Sequence, residues 1–321
     1  MTVDVHRNKN KVIMLMPYFG KWPKYLDLFF KGCENNKWLD IYIFTDCPIP
    51  KEYPSNVFFI KFSLKKIEDL MSSKLNIRNY NLKSSYKLCD IKPTYAYMFE
   101  DWIQEYDYWG YGDIDLIYGN MWSFYSPKIE KGYDIISSRQ EIVSGSFTLI
   151  KNTQYNNALF KKLENFENLV RSDRYEAIDE TSHNMTIWQG LDKLELPKSS
   201  FTYIAAYEHS LGNIKVSFET IISEDLKKND LVIYRNGQLF NDNQEIAYFH
   251  YVNNKKKPYF TYPDWKPIPD LFYINKTGFY KHNYIAQSYG LLKMNVIMTL
   301  YYLRKSPSFI KRKLTEAIKF N

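Results

Sequence analysis

Apolar runs alternate with amphipathic stretches along the first half of the chain. The segment "KVIMLMPYFG" (11–20) is a short apolar run closed by Pro17 and Gly20, the pattern of a buried strand entering a loop. Helical spacing follows in "YLDLFFKGCENN", then "LDIYIFTD" (39–46) predicts a second buried strand ending in Asp46. "NVFFIKFS" (56–63) predicts a third, and "LKKIEDLMSSKL" a helix after it. "KPTYAYMFEDWIQEY" (92–106) predicts one helix with Pro93 in its first turn, leading into the strand "YWGYGDIDLIYGN" (108–120). "YDIISSR" and "SGSFTLIKN" predict two more strands, and "NNALFKKLENFENLVR" another helix. "DLVIYRNGQLF" predicts a hairpin turning at Asn236-Gly237.

This alternation predicts the α/β class, an open and mostly parallel sheet with helices on both faces. Ligands of such sheets sit beyond the carboxyl ends of the strands, which places Pro17 to Gly20, Asp46 and the pair Asp113/Asp115 along one edge. The expected organisation is a domain over 11–262 and a helical extension over 263–321, divided again at Ser306-Pro307.

The chain has 321 residues, enough for a sizeable core. Aromatics reach 18%, mostly 29 Tyr and 21 Phe; a tyrosine-rich surface suits sugars, and a compositional bias toward Lys, Asn, Ile and Tyr accounts for it equally well. Cys33, Cys47 and Cys89 are an odd number without metal-ligand spacing, which favours a reducing compartment. The polar start has no apolar core of a signal peptide, and no uncharged apolar run of about 18 residues occurs, so a cytoplasmic protein is expected. The net charge of +7 is uneven: from Lys281 onward the only acid is Glu316. After Pro307, Ile310, Leu314 and Ile318 share a helical face beside Lys311, Arg312 and Lys313, the pattern of a helix lying on an anionic membrane or docking on its own domain. No nucleic-acid partner is expected, because the cations gather in the tail and are not interleaved with stacking aromatics.

Asp113 and Asp115 lie among Tyr111, Ile114, Leu116 and Ile117, where uncompensated carboxylates are costly. On an extended strand the two would share a face and grip Mn²⁺ or Mg²⁺, with substrate phosphates completing the shell. The alternative for an isolated D-x-D is a turn or a helix-capping pair.

The arrangement resembles glycosyltransferases of the GT-A fold, which bind the metal of a nucleotide-sugar through a D-x-D at a strand end. It resembles more closely a bacterial glycosyltransferase-like family associated with polysaccharide biosynthesis: "PYFG", "FTD", "YKLCDIKP" and "WGYGDID" match its pattern, over about Lys11 to Lys257. The resemblance implies that Pro17, Tyr18, Phe19, Gly20 and Asp46 line a nucleotide pocket. It implies that Asp90 and Lys92 sit near the ribose or donor sugar; enzymes with a D-x-D sugar-binding region carry S-D-x-x-R there, with Arg where this chain has Lys. Gly145 and Ser146 match the segment behind the donor sugar, where a glycine permits close backbone approach. Asp179 and Glu180, in "AIDET", match the place of a carboxylate facing acceptor or sugar, a base if the enzyme inverts. His250 and Lys257 match a late H-x-x-G-x-x-K-P-W of glycogenin-like enzymes, His as third metal ligand and Lys on the diphosphate; here the glycine and tryptophan are missing and the spacing is one residue longer.

The function these expectations describe is transfer of a hexose from a nucleotide-sugar, a UDP-sugar first, to a surface polysaccharide, capsule or lipid-linked glycan. A lipid-linked acceptor would suit a basic tail at the inner face of the plasma membrane. The competing expectation is a non-catalytic carbohydrate- or membrane-binding protein on a transferase scaffold.

Overall fold

The structure is a computed structural model that describes residues 10–82, 84–181, 196–224, 226–227, 230–283, 285–286 and 290–305. The basic tail after Lys305 lies outside the described residues. In chain order the strands are β1 (Val12–Tyr18), β2 (Leu39–Thr45), β3 (Val57–Lys61), β4 (Tyr108–Gly112), β5 (Leu116–Tyr118), β6 (Ile135–Ser137), β7 (Phe147–Lys151) and β8 (Val216–Phe218). They continue with β9 (Ile222–Glu224), β10 (Val232–Arg235), β11 (Gln238–Asn241), β12 (Gln244–Ile246), β13 (Tyr248–His250), β14 (Leu271–Asn275) and β15 (Gly278–Tyr280).

Seven strands form the central sheet in the order β3-β2-β1-β4-β7-β6-β8. Neighbours are parallel except at β7, which runs against both β4 and β6. This is the open, mostly parallel α/β sheet that the alternation of elements predicts. Successive residues of β1 point to opposite faces. Ile13 and Leu15 join one buried cluster with Ile67, Met71, Tyr95 and Ile204. Val12, Met14 and Met16 join another with Phe29, Cys33, Met121 and Tyr125. Both faces are thereby covered by helices, Leu64–Leu75 and Phe201–Ser210 on one and Leu26–Glu34 and Met121–Glu130 on the other. That double burial is why the central strands read as continuous apolar runs.

Two smaller sheets flank this layer. The order β12-β11-β10-β14-β15 builds an antiparallel sheet around the expected Asn236-Gly237 hairpin, both of whose turn residues have positive φ. The stretch from residue 263 expected as a helical extension opens instead with two strands of this sheet, β14 paired with β10 and β15 with β14, and the helix Gly290–Lys305 follows them. The third sheet, β5-β13-β9, is short and carries the site.

The expected continuous helix over 92–106 is replaced by a 3₁₀ helix, Ser85–Thr94, followed by two single α-turns, Tyr95–Met98 and Glu100–Ile103. Pro93 lies inside the 3₁₀ segment, where its missing N–H removes the α-type bond back to Cys89. The expected helix in "NNALFKKLENFENLVR" is likewise divided, into Gln154–Asn157, the 3₁₀ turn Leu159–Lys162 and Phe166–Arg171, with Asn165 left-handed between the last two.

Gly110 is the narrowest point of the central sheet: a Cβ there would lie 2.5 Å from the Thr148 carbonyl oxygen and 2.7 Å from Met14 Sδ. Gly110→Ala must push β4 away from β7. We expect a loss of about 1–3 kcal/mol, read as a lowered urea midpoint with an unchanged slope.

Candidate active site

β4 ends at Gly112, and the Asp113 N–H donates to the Ser146 carbonyl at 3.0 Å, at the entrance of β7. Asp113, Ile114 and Asp115 then form a bend that carries the chain out of the central sheet and into β5. The two carboxylates therefore do not share the face of an extended strand. They converge because β5 pairs with β13 in a register that sets His250 opposite Leu116, directly after Asp115. On its other side His250 is in register with Glu224 of β9. One potential ligand atom from each of Asp113, Asp115 and His250 lies within 4.8 Å of the others.

Positive side chains already face both carboxylates. Lys92 Nζ donates to Asp113 Oδ1 at 2.8 Å and to the Gly145 carbonyl at 2.8 Å. Lys255 Nζ donates to Asp115 Oδ2 at 2.6 Å. Burial of Asp115 opposes its ionisation, but His250 and Lys255 overcome that and hold it well below the usual carboxylate range. Burial likewise opposes the charge on Lys92, and Asp113 outweighs it, leaving the ammonium above its ordinary value.

His250 Nδ1 lies 3.0 Å from Glu224 Oε2, and Glu224 is in turn ion-paired with Arg139. An Nδ1–H donated to Glu224 leaves the Nε2 lone pair turned toward the aspartates, 3.6 Å from Asp115 Oδ2. That nitrogen is buried and has no hydrogen-bond partner. Two carboxylates and an imidazole whose far nitrogen is held by a carboxylate suit a hard or borderline divalent ion such as Mg²⁺ or Mn²⁺. The residues present fit the expected metal.

These groups open into a cleft of about 650 Å³ at the carboxyl ends of β1 and β4. One wall is the 3₁₀ helix, whose three-residue repeat puts Tyr86, Cys89, Lys92 and Tyr95 on the cleft side. The same repeat turns Lys87 and Asp90 away. Asp90 is fully buried, pairs with Lys87 at 2.8 Å and accepts the Glu176 and Ile178 N–H groups at 2.9 and 3.0 Å. Asp90 therefore braces the loop that carries Asp179 and Glu180, and it does not line the cleft. Lys87 completes the brace through the Leu169 and Arg174 carbonyls.

Pro17, Tyr18, Phe19, Gly145 and Ser146 line the cleft. Asp46 and Gly20 are exposed at its rim, where Asp46 Oδ1 accepts the Gly20 N–H at 2.8 Å and ties the β1 and β2 loops together. Neither lines the cavity. Lys257 is exposed and also lies outside it, whereas Lys255, two residues earlier, lines it. The turn Asn254–Lys256 sets which member of the basic run points inward, and nothing in three successive lysines marks that choice. Glu224 and Arg139 were not legible either, since only strand register brings them to His250. Ser146 Oγ has an unforeseen role, joining Ser144 and Tyr248 OH in a buried hydroxyl network at 2.9 and 2.7 Å.

Gly145 is required by a neighbour from the protein itself. A Cβ at Gly145 would lie 2.5 Å from Asp179 Oδ2, and its N–H donates to Glu180 Oε1 at 2.6 Å. Asp179 is buried, accepts from Tyr175 OH at 2.8 Å and lies 3.6 Å from Lys92 Nζ. Burial dominates, and although Lys92 opposes it, the Asp179 pKa is pushed up to about 8. Glu180 is the partly exposed member of the pair.

The chain belongs to a protein family of unknown function, DUF6625, whose family model matches residues 14–283. No curated protein matches it. Among solved structures it is similar to the galactosyltransferase LgtC in complex with donor and acceptor sugar analogs, at 10% identity, covering 77% of this chain and 88% of that one with a TM-score of 0.35. It is also similar to mouse xyloside xylosyltransferase 1 in its apo form, at 10% identity and a TM-score of 0.35 over 67% of this chain and 88% of that one.

The raised Asp179 pKa has a signed consequence for stability. Between its ordinary value of 3.8 and about 8 the folded protein holds a proton that the unfolded chain releases, so this contribution is complete at low pH and lost as pH rises through about 8. Urea midpoints compared between about pH 5 and about pH 9 should fall more steeply for the wild type than for Asp179→Asn. Parallel slopes would show that Asp179 is ionised throughout.

Proposed function

We propose that the protein is a metal-dependent glycosyltransferase that moves a hexose from a nucleotide-sugar, a UDP-sugar first, to a hydroxyl of a glycan acceptor. The observation that carries this reading is the convergence of Asp113, Asp115 and the unpartnered His250 Nε2 inside a cleft at the carboxyl edge of a mostly parallel sheet. A cavity of about 650 Å³ is of the size that takes a nucleotide-sugar rather than a bare ion. Three hard or borderline ligands leave the rest of the coordination shell for phosphate oxygens.

Asp113, Asp115 and His250 would hold Mn²⁺ or Mg²⁺, which when bound supplies a Lewis acid to the donor diphosphate. In the transfer itself the acceptor oxygen forms a bond to the first carbon of the sugar. The bond from that carbon to the diphosphate breaks, and the nucleoside diphosphate leaves with the electron pair. Lys92 and Lys255 bring positive charge to the side of the cleft where the leaving oxygens gain charge. In an inverting transfer Glu180 is the residue to take the acceptor proton: both acids line the cleft, but Glu180 is the more exposed and burial raises the pKa of Asp179. Pro17 to Phe19 form the wall for the nucleotide, and Gly145 and Ser146 the floor beneath the sugar.

The acceptor side of the proposal is a surface polysaccharide, capsule or lipid-linked oligosaccharide. An anionic membrane surface is the proposed docking site of the C-terminal segment. Leu292, Val296 and Leu300 lie four residues apart and exposed on the helix Gly290–Lys305, and basic residues dominate the chain from Lys281 on. Among the described residues no helix is long and apolar enough to cross a membrane.

Saturating UDP with Mn²⁺ should raise the melting temperature by roughly 3–6 °C. The same addition to Asp115→Ala, checked for folding by its own melt, should leave it unchanged. Release of free sugar from one member of a UDP-sugar panel in the presence of Mn²⁺ would identify the donor without an acceptor. A wild type indifferent to UDP and Mn²⁺ together, with no sugar released, rejects the transferase.

A further inference from the structure

We propose that Lys255 competes with the divalent cation for Asp115, so that cation and nucleotide diphosphate enter the cleft cooperatively. The proposal rests on the transferase reading above and adds to it a role for one residue. Lys255 Nζ contacts Asp115 Oδ2 at 2.6 Å, and His250 Nε2 lies 3.6 Å from the same oxygen. A cation bridging His250 and Asp115 must therefore take its place against an ammonium already in contact with that carboxylate. Two positive charges on one buried carboxylate repel strongly where water does not screen them.

The two lysines differ in their freedom to yield. Lys92 is 6% exposed in its side chain and is also tied to the Gly145 carbonyl. The Lys255 side chain is 29% exposed, and it stands on a short 3₁₀ turn at the cleft mouth. Lys255 is thus the counter-charge able to turn away from its carboxylate, and Lys92 the one that stays.

Charge balance then couples the two ligands. Asp113 and Asp115 are neutralised by Lys92 and Lys255. A divalent cation alone adds two positive charges to a balanced site, and a diphosphate alone adds its negative charges beside two carboxylates. Entering together, the cation satisfies the aspartates and the displaced Lys255 ammonium donates to diphosphate oxygens, so neither ligand leaves an uncompensated charge. The result is mutual enhancement of affinity, equal in both directions by linkage.

Free Mn²⁺ measured by electron paramagnetic resonance during titration of the full chain, with and without UDP, tests this directly. For the wild type UDP should tighten Mn²⁺ binding by about tenfold or more, equivalent to about 1.4 kcal/mol of coupling. Lys255→Met should bind Mn²⁺ alone about tenfold more tightly than the wild type and show a smaller enhancement by UDP, with Lys255→Gln behaving alike and Lys257→Met behaving as wild type. Thermal melts of each variant establish that it is folded. Wild-type binding of Mn²⁺ with UDP, combined with no tighter binding of Mn²⁺ alone in either folded Lys255 variant, overturns this proposal and leaves the transferase reading standing. Failure of the wild type to take up Mn²⁺ even with UDP overturns both.

Discussion

The site is organised around a carboxylate that the fold withdraws from water and keeps charged. Asp115 is 3% exposed, and the more open Asp113 sits beside it just after the central strand. Isolated, a group buried like Asp115 would hold a proton, as Asp179 does a short distance away. The pair is met by a ring of partners drawn from elements distant in sequence: Lys92 from the 3₁₀ helix, His250 from β13 and Lys255 from the turn after it. Polar contacts continue outward from there, from Asp115 past His250 to Glu224, which is ion-paired with Arg139.

Strand register and the loops that leave the strands set these distances together. The short sheet β5-β13-β9 exists to hold one register, in which His250 has Leu116 on one side and Glu224 on the other. The 3₁₀ helix does comparable work on the opposite wall. Three residues per turn separate a cleft face, Tyr86, Cys89 and Lys92, from a buried face on which Lys87 and Asp90 pair. The buried pair then anchors the 172–180 loop, and Gly145, lacking a side chain, lets the Asp179 and Glu180 carboxylates close against the sheet edge.

Asp179 and Lys92 show how one neighbour acts differently on two acids. Lys92 gives its shortest contact to Asp113, at 2.8 Å, and stands 3.6 Å from Asp179. Burial of Asp179 is more complete, and Glu180 adds like charge beside it, so the more distant ammonium does not offset its desolvation. Within one cleft the protein holds the Asp113 and Asp115 carboxylates against lysines and, at Asp179, a carboxyl whose burial favours its protonated form.

The central sheet was legible because its strands are buried on both faces: runs such as "VIMLM" and "IYIF" have no other stable placement in a chain of alternating helical segments. Asp113, Asp115 and His250 were legible as residue types that bind cations, standing where strands end. Three matters were settled elsewhere. That Asp90 braces the loop before Asp179 depends on the packing of that loop, whose Glu176 and Ile178 N–H groups it accepts. The lysine that enters the cleft, Lys255 and not Lys257, depends on a single turn after β13. The pairing of Glu224 with His250 depends on register between strands 26 residues apart. Local pattern reports which side of an element is apolar, because burial leaves a periodic trace along the chain. It carries no trace of which polar groups meet across elements, since those contacts follow from how whole sheets and turns are set against one another.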